Sequence, residues 1–139
     1  MSYVSLPREV PTFKILRKVL EDNKILLVPK VSGEDIISVR IKSLDELSPG
    51  TFNVLEPASN IPYDTSKIEV IIVPGIAFNT KLYRIGHGKG HFDRFLKSLP
   101  DNVLKIGLAY EFQIIEEEFT DEWDEKMDII VTEKRRLEE

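Results

Sequence analysis

The sequence predicts an α/β fold, a three-layer α/β/α arrangement around a mainly parallel central sheet. Three observations predict it. Near-continuous apolar runs occur at Lys24–Val28, Ile68–Val73 and Val103–Tyr110, as strands buried on both faces require. Segments with a helical apolar period separate these runs, the alternation typical of α/β chains. Finally, the run ending at Val73 leads into a glycine-rich stretch and then a helical pattern, and ligands of such sheets bind beyond the carboxyl ends of the strands.

In chain order, Tyr3–Leu6 alternates apolar and polar residues and reads as a short strand ended by Pro7. Pro11-Thr12 opens a helix in which Phe13, Leu16, Val19 and Leu20 share a face, and Asp22-Asn23 ends it. Lys24–Val28 is a buried strand stopped by Pro29, and Ser32-Gly33-Glu34-Asp35 is a turn. Ile37, Val39 and Ile41 alternate with Ser38, Arg40 and Lys42, a strand with one wet face. Residues 43–51 form a loop with one helical turn, ending in Pro49-Gly50. Phe52–Leu55 is extended, Glu56-Pro57 follows, and 58–67 is a surface linker. Ile68–Val73 is the central strand, stopped by Pro74-Gly75. Phe92, Phe95, Leu96 and Leu99 form one face of a short helix before Pro100. Val103–Tyr110 is a strand whose Gly107 marks a close approach of backbone or ligand. Residues 111–125 are acidic and read as a solvated face. Ile129–Val131 is a last strand, and the charged tail from Glu133 is expected to fray.

At 139 residues and 42% apolar content, the chain reads as one domain, 1–139, with material for a core. A net charge of −5 argues against broad nucleic-acid binding. There is no cysteine, which fits a reducing compartment or a hot habitat. No apolar run approaches the ~18 residues of a membrane span, and the N-terminus has no secretion-signal pattern. The expected location is cytoplasmic, and the expected partners are small molecules rather than nucleic acid or membrane, bound by a monomer or homodimer.

Within this acidic chain, residues 81–94 hold four Lys/Arg (Lys81, Arg84, Lys89, Arg94) against one acid, Asp93. Both histidines, His87 and His91, are here, with glycines at 86, 88 and 90. Alternate glycines remove β-carbons and permit positive φ, so successive N–H groups can face one concavity. The helix start behind them adds partial positive charge. Glycines by themselves would equally make a solvated loop. Strand, glycines, cations and helix in that order favour a nucleotide phosphate. The spacing is neither that of a Walker loop nor that of the dinucleotide fingerprint.

Pro74-Gly75-x-Ala77-Phe78 followed by Arg84-x-Gly86-x-Gly88-x-Gly90-x-Phe92-Asp93 resembles the motif of the 5-formyltetrahydrofolate cyclo-ligase family, also called methenyltetrahydrofolate synthetases. The similarity runs from Tyr3 to about Glu133. The resemblance implies an ATP- and magnesium-dependent closure of 5-formyltetrahydrofolate to 5,10-methenyltetrahydrofolate, in which the formyl oxygen is phosphorylated and then leaves as phosphate.

Carried over residue by residue, Arg84, Ile85, Gly86, His87, Gly88, Lys89, Gly90, His91 and Phe92 match the ATP-phosphate loop. Arg84 and Lys89 are expected to meet phosphate oxygens. His87 and His91 stand where relatives often carry tyrosine, arginine or histidine, and His91 could orient the folate or the γ-phosphate. Asp93 and Asp124 resemble the magnesium ligands. Read without the family, Asp93 is a helix-start acid favoured by the dipole and Asp124 is a surface acid. The folate is expected against Val4 and Leu6, with Glu9 accepting from the pterin and Phe52 and Glu56 nearby. Glu9 reads equally well as a helix-start acid. Tyr110 and Gln113 could line the same pocket or simply be core.

Family chains usually begin about 50 residues earlier, within common domain sizes, with a basic helical segment that supplies a lysine and an arginine near the ATP. Three expectations follow: a fragment or late start, a short form whose cations come from elsewhere, or a non-catalytic folate- or nucleotide-binding relative that has lost turnover.

Overall fold

The structure is a computed structural model that describes residues 1–50, 53–86, 90–117 and 125–139. The chain folds as two compact units, Met1–Ile68 and Glu69–Glu139. It is α/β, with mixed sheets and two α-helices among the described residues. None of these helices is long and apolar enough to cross a membrane.

In the first unit, α1 spans Phe13–Glu21 after Thr12. β1 (Leu26–Ser32) and β2 (Asp35–Ile41) form an antiparallel hairpin. Its two-residue loop places Gly33 at φ +64°, a conformation open to glycine at little steric cost. β3 (Leu47–Pro49) and β4 (Leu55–Pro57) form a second antiparallel pair. The predicted face of α1 is the one that is buried. Leu16 is fully buried with Val4, Leu26, Val28 and Ile41, and Phe13, Val19 and Leu20 pack around them. Each such aliphatic side chain contributes roughly 1.5–3 kcal/mol on full burial.

Three expectations change here. Residues 3–6 are not a strand, although the Ser2 N–H donates to the Leu27 carbonyl at 3.0 Å. Pro29 does not stop β1 but lies within it, opposite Ser38. The Ser38 carbonyl accepts from the Tyr63 N–H at 2.7 Å, so it points away from Pro29 and needs no donor from it. Ser38 itself is buried rather than wet, because the segment around Tyr63 runs along it and takes its hydroxyl hydrogen as well.

In the second unit the elements are β5 (Val70–Val73), β6 (Ala77–Asn79), β7 (Arg84–Ile85), α2 (His91–Ser98), β8 (Leu104–Leu108), β9 (Ile114–Ile115), β10 (Ile129–Val131) and β11 (Arg136–Glu138). A four-stranded sheet has the order β11-β10-β8-β5. Its β5, β8 and β10 are parallel and β11 is antiparallel. A smaller sheet, β7-β6-β9, joins β6 to β7 antiparallel and to β9 parallel. The strand expected at the centre, β5, is at one edge of its sheet among the described strands. Between Gly75 and Gly86 lies the β6–β7 hairpin. The tail does not fray: β11 pairs with β10. The approach marked by Gly107 is that of an aromatic ring, since a β-carbon there would lie 2.7 Å from the Phe78 ring.

Candidate functional site

The parallel register Val73↔Gly107 and Leu108↔Val131 brings the carboxyl ends of β5, β8 and β10 side by side. The segment leaving β5 and the start of α2 are held together by one side chain. Arg84 Nε donates to the Pro74 carbonyl at 2.6 Å, and Nη1 donates to Asp93 Oδ1 at 3.0 Å. Its guanidinium lies 5.2 Å from the centre of the Phe92 ring, within cation–π range. Arg84 is only 5% exposed. It braces a strand exit against the first turn of a helix, where a phosphate contact had been expected. Asp93, expected on magnesium, is its buried partner.

The glycines divide by task. At Gly86 the space of a β-carbon is filled by Arg84, whose Nη1 would be 2.6 Å from it. That position admits the chain's own guanidinium, not a ligand. Gly90 has φ +72° at the N-cap of α2 and provides no side-chain cap. The first-turn amides of α2 therefore lack the usual side-chain acceptor at the cap. His91 opens the helix and is partly buried. Ile85 pairs with Ala77. His87, Gly88 and Lys89 lie outside the described residues, as do Phe52 and Asp124.

Two polar residues give the surrounding loops their shape. Asn79, fully buried, accepts from the N–H groups of Lys81 and Tyr83 at 2.9 and 3.0 Å. This closes the β6–β7 connection and holds Leu82 at φ +77°. Gln113 donates from Nε2 to the carbonyls of Gly75 and Ile76, both at 3.0 Å, and accepts the Tyr110 N–H at 2.8 Å. It is a staple on the exit of β5. Sequence reasoning named Gln113 as a pocket residue and passed over Asn79. An Asn at the head of a tight reversal was the available signal.

In the first unit, Val4 is packed in the apolar core, and Leu6 is partly buried. Glu9 Oε1 accepts the Leu6 N–H at 2.8 Å while its own N–H donates to the Leu6 carbonyl at 3.0 Å. Ser5 and Thr12 exchange backbone-to-hydroxyl bonds at 3.0 Å, and the Tyr3 hydroxyl donates to the Val10 carbonyl at 2.7 Å. Residues 3–12 are thus a cross-braced loop. Glu56 is buried, its Oε1 accepting the Val31 N–H at 3.3 Å and its Oε2 lying over Gly50.

As a magnesium site, the described residues present Asp93 with one oxygen already on Arg84. No group of three or more His, Cys, Asp or Glu that could hold a metal occurs among the described residues. These donors do not by themselves fit a resident ion. Glu125, the residue after Asp124, accepts the Arg84 N–H at 2.8 Å through its carbonyl.

Parallel strands with a braced loop and helix start at their carboxyl ends place the chain among α/β proteins that work at that edge of the sheet. More specifically, it belongs to the 5-formyltetrahydrofolate cyclo-ligase family, whose sequence model matches residues 1–133. This is a family of ligases of folate metabolism. A Schizosaccharomyces pombe protein named probable 5-formyltetrahydrofolate cyclo-ligase is 30% identical, over 94% of this chain and 72% of its own length. The structure of Aquifex aeolicus 5,10-methenyltetrahydrofolate synthetase superposes with a TM-score of 0.84 at 37% identity, covering 99% of this chain and 69% of that one. A 5,10-methenyltetrahydrofolate synthetase from Mycoplasma pneumoniae gives 0.71 at 25% identity, covering 93% and 70%.

Proposed function

We propose that this chain catalyses the ATP- and magnesium-dependent cyclisation of 5-formyltetrahydrofolate to 5,10-methenyltetrahydrofolate, releasing ADP and phosphate. The observation that carries the reading is the family match, which takes in the 3–12 loop, the glycine stretch and the last parallel strand. The chemistry explains the need for ATP. The formyl oxygen on N5 is an amide oxygen that N10 cannot expel as oxide. When that oxygen attacks the γ-phosphorus, ADP leaves and the oxygen becomes part of a phosphate ester. N10 then attacks the formyl carbon, the C–O bond breaks, and inorganic phosphate departs.

The chain's own task is to hold the two substrates in line and to offset the charge that moves between them. The first turn of α2, whose N-cap is a glycine, and the loop 84–92 are proposed to take the phosphates, with Lys89 and His87 as the proposed charged contacts. Arg84 acts as a positioning residue through Pro74 and Asp93, and His91 is proposed at the transferring group. Leu6, Glu9, Phe52 and Glu56 are proposed for the folate, with Val4 behind them in the core. Magnesium is proposed to arrive with the triphosphate, near Asp93 and Asp124. Residues 1–139 are proposed to act as one catalytic domain, in the cytoplasm, on small molecules. The test is growth of methenyl absorbance on mixing the chain with ATP, magnesium and 5-formyltetrahydrofolate. The expected signal disappears when either substrate is omitted. Saturating binding of both substrates without product would instead identify a non-catalytic relative.

A further inference from the structure

The outer edge of β2 faces a groove of about 490 Å³ within the unit Met1–Ile68. Among the described residues β2 pairs only with β1, and its alternation fixes which main-chain groups look outward. The Ser38 carbonyl points away from β1 to the Tyr63 N–H at 2.7 Å, and the Lys42 N–H points away to the Glu46 carboxylate. Arg40 lies midway between them. By the two-residue period its N–H and C=O also point outward, into the groove.

The opposite wall is Ser59–Tyr63. It meets the edge at Tyr63 and then departs from it. Lys30 Nζ holds the carbonyls of Ala58 and Ser59 at 3.1 and 3.2 Å. The Ile61 N–H is turned onto Ser59 Oγ at 3.1 Å, and Pro62 has no N–H. From Ile61 to Tyr63 the wall thus has no N–H left for the Arg40 carbonyl. Arg40 and Lys42, two residues apart, are on one face of the strand. Both are exposed, and neither is in an ion pair among the described residues. Glu46, the acid in the lining, is committed to the N–H groups of Lys42 and Ser43. Cations on a free edge ordinarily keep other strands away. Toward an acidic strand the same cations are attractive.

We propose that this groove docks an extended acidic segment of a partner protein, of the pattern acid-x-acid, by strand addition to β2. The first acidic residue exchanges main-chain bonds with Arg40, and its carboxylate faces the guanidinium. The second lies across from Lys42, because alternate residues of an added strand share a face. Ile61, 78% exposed in the lining, gives the segment an apolar contact. In a chain of net charge −5, two cations at one free edge select by charge which segment docks.

Nuclear magnetic resonance titration of the whole chain with acetyl-Glu-Val-Glu-amide tests the proposal. A saturable shift of the Arg40, Ile61 and Tyr63 amides is expected. Affinity should fall about 10-fold in the double variant Arg40→Glu, Lys42→Glu, as two attractive cross-strand pairs become repulsive. Acetyl-Lys-Val-Lys-amide should bind that variant and not wild type, which also shows the variant folded. N-methylation of the peptide's first glutamate removes the donor to the Arg40 carbonyl and should cost about fivefold. No shift at Arg40 with the acidic peptide overturns the proposal. Equal binding of the acidic and basic peptides by wild type overturns the charge selection, and an unchanged affinity for the N-methylated peptide overturns strand addition. Displacement of the peptide by 5-formyltetrahydrofolate gives the groove to the small molecule and overturns the partner protein.

Discussion

Arg84 is the residue on which the local architecture turns. One guanidinium satisfies the Pro74 carbonyl, neutralises Asp93 and fills the space over Gly86. Removing one partner of a buried pair costs about 3–5 kcal/mol, because the other is left charged and unpaired. Arg84→Ala should therefore lower unfolding free energy by that amount in urea titration. Arg84→Lys should recover only part, since a lysine ammonium lacks the planar fork that joins two sites. Gly90→Ala should cost about 1–2 kcal/mol from the left-handed conformation alone, and weaken ATP binding by shifting the start of α2. An unchanged melting midpoint would contradict the assigned φ. Part of this was legible in the sequence. One acid among four cations showed that charge was concentrated here, and Gly90 was marked as a position needing freedom. Direction was not legible: nothing in the spacing told whether Arg84 and Asp93 faced a ligand or each other. Gly107 carried the same ambiguity, and the aromatic that needed its space lies far back in the sequence, at Phe78.

Among the elements, the 111–113 turn makes a clear pH prediction. Hydrogen bonds from Arg135, then from Thr132, hold the Glu111 carboxyl below its usual range. A depressed carboxyl stabilises the fold fully above the unfolded group's range, and that contribution is lost as pH falls through the folded group's range. Thermal melts from neutral to acid pH should show a fall at the acid end that Glu111→Gln lacks, because the variant has already lost the charge. Identical slopes for both proteins would remove Glu111 from the account. The effect is modest, since solvent screens this site. At this scale the helices were readable from the periodicity of Phe13–Leu20 and of Phe92–Leu99. The short strands were not. β6, β7 and β11 are two or three residues each, too few for a period to emerge, and they owe their extension to the strands they pair with rather than to their own pattern. Pro29 misled for a related reason: proline ends a strand only where its missing N–H is needed, which depends on the neighbour.

For the whole molecule, the α/β class followed from alternation of runs, and the family followed from a motif whose glycines, acid and aromatics stand in the family's order. Where each folate candidate lies was beyond either argument. Val4 belongs to the core and Glu56 is bound to Val31, because burial is decided by chain segments far apart in sequence. The account's central claim is chemical: the formyl oxygen leaves as part of inorganic phosphate. The direct measurement uses 5-formyltetrahydrofolate labelled with heavy oxygen in the formyl group, with ATP and magnesium, and mass analysis of the phosphate released in a single turnover. The account predicts one labelled oxygen in each phosphate and one methenyl product for each ADP. Unlabelled phosphate, with the heavy oxygen recovered in water, would contradict it.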